Sequence, residues 1–181
     1  MTTTKKLIIA VVALSLALLG VVGGTLAYLH TSTKTVTNTF TYGDINIELK
    51  ESDNLDLKLV PGRPITKDPY VIVEKGSEAC YLFVKIQHPT ELADRISYDI
   101  AEGWTKLEGK NDVYYRIVSA DAEKYQTFYI LKDNKVQVSK DLTKDEMKNL
   151  NAGDVTLAFT AYAVQSYGVT DAAAAWAIVN P

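Results

Sequence analysis

Two histidines, His30 and His88, and one cysteine, Cys80, are the chain's whole supply of imidazole and thiol. A catalytic zinc site takes three protein ligands and keeps a position open, and neither an HExxH run nor a Cys/His cluster occurs. Asp or Glu would have to supply most of such a site, because His30 lies in a threonine-rich strip and His88 precedes Pro89 at a strand end. The acidic pairs Asp53 with Asp56 and Asp141 with Asp145 offer only part of the oxygen shell that calcium demands, so they read as solvated surface. No glycine-rich loop leads from a strand into a helix, which removes a phosphate cradle, and no G-x-S-x-G elbow presents a serine. The tyrosines of "DVYYRIV" could stack on a sugar or peptide, although alternating aromatics on a strand more often pack across strands. Cys80 sits in the apolar run "ACYLFVKI" and is expected to be a buried, inert thiol; alone, it forms no internal disulfide. The residues therefore predict no catalytic group, no bound metal and no cofactor.

The segment ahead of the candidate domain reads as an export signal. Lys5 and Lys6 begin it, Leu7 to Val22 form an apolar run with one Ser, and Gly20, Gly23 and Gly24 loosen the chain before Thr25-Leu26-Ala27. Residues 1–27 are assigned as signal peptide, with cleavage between Ala27 and Tyr28. An uncleaved anchor is the alternative, since Leu7 to Leu29 approaches the ~20 residues that span a bilayer. Glycines near its end and the lack of flanking charge favour cleavage. Removing 27 of 181 residues leaves a mature chain of 154, enough for one domain with its own core. Loss of two lysines takes the net charge from −3 to −5. No basic patch or basic amphipathic helix is present, so nucleic acid is not an expected partner.

Across the mature chain, with residues 41–181 as the sandwich domain, the dominant pattern is period-two alternation of β-branched and aromatic residues, bounded by turn signals. Val36, Phe40 and Tyr42 share a face of "VTNTFTY", as do Ile45, Ile47 and Leu49 of "INIEL" and Leu55, Leu57 and Leu59 of "LDLKL". Pro61-Gly62 and Pro64 then mark a turn. "PYVIVEK", "ACYLFVKIQH", "RISYDI", "WTKLE", "DVYYRIV", "QTFYIL", "KVQVS" and "VTLAFTAYAVQ" follow as strands, the second of these apolar enough to be covered on both faces. About ten short strands predict an all-β, two-sheet β-sandwich rather than βαβ units. Two short helices complete it: one capped by Thr143 with Asp145 and Glu146 in its first turn, the other capped by Asp171, with Trp176 to pin it to the sandwich.

Residues 28–40 stand apart. "YLHTSTKTVTNT", Tyr28 to Thr39, has Lys34 as its only charge, and no acidic residue occurs in the first 43 positions. Threonine favours extended backbone, so Tyr28, Leu29, His30, Thr31, Thr33, Thr35 and Val36 form a candidate strand. A terminal strand either pairs within its own domain, which chain connectivity favours, or adds to the edge of a neighbour.

Three blocks resemble the secreted camelysin/TasA-type proteins of Gram-positive bacteria: "KKLIIAVVALSLALLGVVGGTLAYL" leading into "NTFTYGDINIEL", then "LVPGRPITKDPYVIVEKGSEACYLFVKI", then "LAFTAYAVQSYGVTDAAAAWA". Roughly Gln87 to Asp154 has no counterpart, and His30 stands where relatives often carry an acidic residue. The resemblance implies a jelly-roll-like sandwich, export through a SipW-type signal peptidase and assembly into extracellular fibres of the biofilm matrix. In such fibres the freed N-terminal strand of one subunit fills a groove in the next. The implied partner is a second copy of this chain, with an accessory matrix protein as a further candidate. Here the donor would be about Tyr28 to Thr39, with Leu29 and Val36 as anchors. Camelysin carries a metalloprotease label, which no zinc motif in this chain matches. The expected function is a secreted structural subunit, with a monomeric binding or accessory module as the alternative.

Overall fold

The computed structural model describes residues 38–42, 44–52, 60–143, 145–146 and 156–180. The signal segment, the positions from Ala27 to Val36 and the "LDLKL" run lie outside the described residues. Eleven strands are described: β1 (Asn38–Tyr42), β2 (Ile47–Lys50), β3 (Pro64–Thr66), β4 (Tyr70–Val73), β5 (Cys80–Gln87), β6 (Ile96–Ser97), β7 (Thr105–Lys106), β8 (Val113–Val118), β9 (Gln126–Tyr129), β10 (Lys135–Val138) and β11 (Ala158–Gln165). Two helices accompany them, α1 (Thr90–Ala93) and α2 (Ala172–Val179).

One layer is a five-stranded sheet in the order β1-β11-β5-β8-β7. Its strands pair antiparallel except for β1, which runs parallel to β11. Facing it are two three-stranded antiparallel sheets, β2-β4-β9 and β3-β10-β6. The chain is thus an all-β sandwich whose second layer is split rather than a single sheet. The split has a local cause. Between β9 and β10 a 3-10 turn, Lys132–Asn134, carries two consecutive left-handed residues, Asp133 at φ 54° and Asn134 at φ 53°. Asp and Asn tolerate that conformation through local hydrogen bonding, and the turn bends the chain out of one sheet into the other. The two halves stay connected through the Ile100–Leu131 bridge and the Ala101 N–H to Ile130 carbonyl bond of 2.9 Å.

Alternation decides which side chains meet between the layers. Ile45, Ile47 and Leu49 join Val71 and Val73 from one side and Cys80, Leu82, Val84, Ile86, Phe159, Ala161 and Ala163 from the other in one core. β5 is central and covered on both faces, as its apolar run predicts, because Phe83 belongs to a second cluster beneath α2. There Trp176 meets Phe83 at 5.2 Å between ring centres and Tyr162 edge-on at 5.1 Å. Asp171 caps α2, its Oδ1 accepting the Ala174 N–H at 2.8 Å.

β3 and α1 escape sequence reading. Val60 to Arg63 form the turn that Pro61-Gly62 predicts, closed by the Arg63 N–H to Val60 carbonyl bond of 2.9 Å with Gly62 at φ 73°. Pro64 then opens a strand instead of prolonging the turn, because a first-position proline on an edge strand forfeits no ladder bond. Thr143 and Glu146 satisfy each other as a capping box: Glu146 Oε2 accepts from the Thr143 N–H at 2.8 Å and hydroxyl at 2.7 Å, and Thr143 Oγ1 accepts the Glu146 N–H at 3.3 Å. The remainder of that predicted helix lies outside the described residues.

Candidate assembly edge

Sheet edges are where a strand from another molecule can add, so the six edges of the described sheets bear on function first. Sheet order makes them β1 and β7, β2 and β9, and β3 and β6. β6 and β7 are two residues long, and β3 opens on a proline. Along β9 the Tyr129 carbonyl already accepts Trp104 Nε1–H at 2.8 Å, while the Gln126 side chain reaches across to the Ser119 carbonyl at 2.8 Å. β1, at five residues, is the longest of the six.

β1 meets β11 in parallel register from Asn38 opposite Thr160 to Tyr42 opposite Val164. Parallel pairing between the first described strand and the last needs the chain to return from far away, and nothing in periodicity signals it. The amino end of β1 points toward the Ala158 end of β11. That end is well packed: Leu157 and Phe159 are buried. Lys67, only 4% exposed, lies with its ammonium 5.6 Å from the Phe159 ring centre and 2.7 Å from Glu51 Oε1. Such a buried pair stands only with both partners present, since removing one strands a charge in low dielectric.

A short corner ties β1 to its own domain. Asp44 and Asn46, just after β1, are held to the turn that follows β4. The Asp44 carbonyl accepts the Glu78 N–H at 3.1 Å and the Asn46 carbonyl accepts the Glu74 N–H at 2.9 Å. The buried Ser77 hydroxyl takes the Asn46 N–H at 3.1 Å. With the corner after β1 held in this way, Asn38–Phe40, the last part of the 28–40 segment, sit in the chain's own sheet beside β11. The resemblance implies that the strand ahead of Asn38 is offered to a neighbour. The residues expected to do that, Tyr28, Leu29, His30, Thr31, Thr33, Thr35 and Val36, and the Ala27–Tyr28 cleavage point all lie outside the described residues.

The donor set for a metal does not assemble among the described residues: no group of three or more His, Cys, Asp or Glu is placed to hold an ion. His88 Nδ1 sits 3.3 Å from the Pro89 carbonyl, and Asp141 takes part in a turn through its own N–H to Ser139 Oγ at 3.3 Å. Cys80 is fully buried, and burial pushes its thiol up to about 12, far from the thiolate a zinc ligand must be. Among the described residues no helix is long and apolar enough to cross a membrane.

Compared with known families, residues 2–95 match the family described as camelysin metallo-endopeptidase. That span runs from the amino terminus through β5 and α1. None of the curated proteins matches the chain.

Proposed function

The chain belongs to the camelysin metallo-endopeptidase family, and from that premise we propose that it is a secreted structural subunit of extracellular fibres. Subunits join head to tail when the strand freed by a signal peptidase at Ala27–Tyr28 adds to the sheet of the next copy. The observation that carries this reading is β1: the longest of the described sheet edges, tied to its domain by the corner after it, and following directly in the chain on an acid-free, threonine-rich segment. Backbone bonds at each junction contribute only about 0.5–1.5 kcal/mol apiece, so apolar anchors must supply much of the affinity. Leu29 and Val36 are the candidates in the donor.

Cleavage is the switch in this scheme, because a strand still joined to the export segment is not free to reach a neighbour. The family's description names an endopeptidase, yet the described residues do not compose a metal site. We read the chain as a building block, and as a homopolymer in the first instance, with an accessory matrix protein as a second partner.

Deleting Tyr28 to Val36 from the mature chain tests the proposal. The expected product is a folded monomer by circular dichroism and size exclusion, with no filaments by electron microscopy, while the intact mature chain forms them. Oligomers unchanged by the deletion would reject donor-strand assembly. Single particles from the intact chain would instead favour a monomeric binding module. Bound-metal analysis with a casein assay separates the peptidase reading from both.

A further inference from the structure

Arg116 occupies an unusual place for a guanidinium. It lies on β8 directly opposite Leu82 of β5, and Leu82 is fully buried in the interlayer core, so Arg116 points to the same inner side. Its guanidinium carbon is 3.9 Å from the Phe128 ring centre and 5.4 Å from that of Trp104. Trp104 is itself held by its Nε1–H bond to the Tyr129 carbonyl, which fixes one wall of the seam between β8 and β9. The adjoining turn supplies Gly103 at φ 86°, where a Cβ would stand 2.9 Å from Arg116 Nη2. The absence of a side chain there leaves room for the cation.

Arg116 is half-buried there, and its hydrogen-bonding account does not close. Nε is buried without an acceptor, and among the described residues no carboxylate forms an ion pair with the guanidinium. Ring contacts of this kind stabilise the cation modestly. An unmatched buried donor on a charged group costs more than such contacts return, so the rings offset the deficit only in part. Desolvation holds the guanidinium below its ordinary pKa, in keeping with a cation that has lost part of its water without gaining an anion. The rings lie over the guanidinium carbon, and since Nε alone is both buried and unmatched, the Nη donors at its outer edge are the ones a ligand can reach. Planar edge-on donors suit a carboxylate, which takes two parallel N–H bonds in one plane.

We propose that Arg116 is a receptor for an organic carboxylate, admitted through the seam between β8, the Gly103-Trp104 turn and β9. The site lies away from the β1 edge and does not depend on fibre assembly.

The test follows the Arg116 Nε–H resonance and Trp104 fluorescence in the ¹⁵N-labelled full chain during titration with sodium acetate, sodium galacturonate, sodium chloride and glucose. Saturable changes with the carboxylates, absent with chloride at equal ionic strength, support the site. A tighter response to galacturonate than to acetate assigns a sugar acid; equal responses assign the carboxylate alone. Arg116→Met is expected to abolish the fluorescence response and Arg116→Lys, which keeps charge but not the planar fork, to weaken it about tenfold. No carboxylate response in the unaltered chain, an equal response to chloride, or undiminished binding by a folded Arg116→Met variant would overturn the proposal. The first two outcomes need no variant, so a folding defect cannot shelter it.

Discussion

Cys80 shows how burial sets chemistry at a single position. Its thiol is fully enclosed in β5, and burial raises it from an ordinary 9.0 to about 12. Only the thiolate is nucleophilic, so an aromatic disulfide reagent at pH 8 should leave the native chain unlabelled and label one thiol in denaturant; stoichiometric labelling of the native chain would contradict the placement. A thiol whose proton is held more tightly when folded contributes stability that is fully present below 9.0 and is lost as pH rises from there toward 12. Cys80 was legible because an apolar run longer than a half-buried strand needs implies cover on both faces. Lys67 and Arg116 were not. Pattern reading places Lys and Arg in solvent, and what buries Lys67 and half-buries Arg116 is tertiary: Glu51, 16 residues from Lys67, and the rings of Trp104 and Phe128.

At the scale of elements, α2 separates capping from packing as sources of stability. Asp171 satisfies one terminal N–H, whereas Trp176 fills the space over Phe83 and Tyr162. Asp171→Ala should cost about 1 kcal/mol. Trp176→Ala should cost about 3–5 kcal/mol, since it opens a cavity under the helix. Because Trp176 Nε1 is buried without an acceptor, Trp176→Phe removes an orphan donor while keeping a ring. It should fall well below the alanine variant. Denaturant unfolding of the three variants checks the order, and an Asp171 effect exceeding that of Trp176→Ala would mean that the cap, not the core, holds the helix. Elements of this kind announce themselves through local rules, a cap followed by helix formers or β-branched residues at period two. The ladder of β8 and β5 was readable from "DVYYRIV" and "ACYLFVKIQH" for that reason. β3 was hidden because proline is a turn signal and an edge-strand opener at once, and the sheet split because it turns on two backbone angles at Asp133 and Asn134.

For the whole molecule, the decisive question is where the folded domain ends and the exchangeable strand begins, and truncation locates it. β1 closes the edge of β11, packs beside β2 and lies under α2, so it bonds the first described strand to the last two elements of the chain. A chain beginning at Asn38 retains every described contact and should melt close to the mature protein. A chain beginning at Ile45 loses the five-residue parallel pairing and uncovers one side of α2. Several ladder bonds at about 0.5–1.5 kcal/mol each vanish, together with burial along β11. A loss of about 3–6 kcal/mol is a large part of the 5–15 kcal/mol that a domain of this size holds in reserve. The Ile45 form should therefore melt far lower or aggregate through the bared β11 edge. Thermal melts of the two truncations decide the matter. If both melt alike, β1 is a detachable strand, the donor extends to Tyr42, and the corner at Asp44–Asn46 is a hinge instead of a tether.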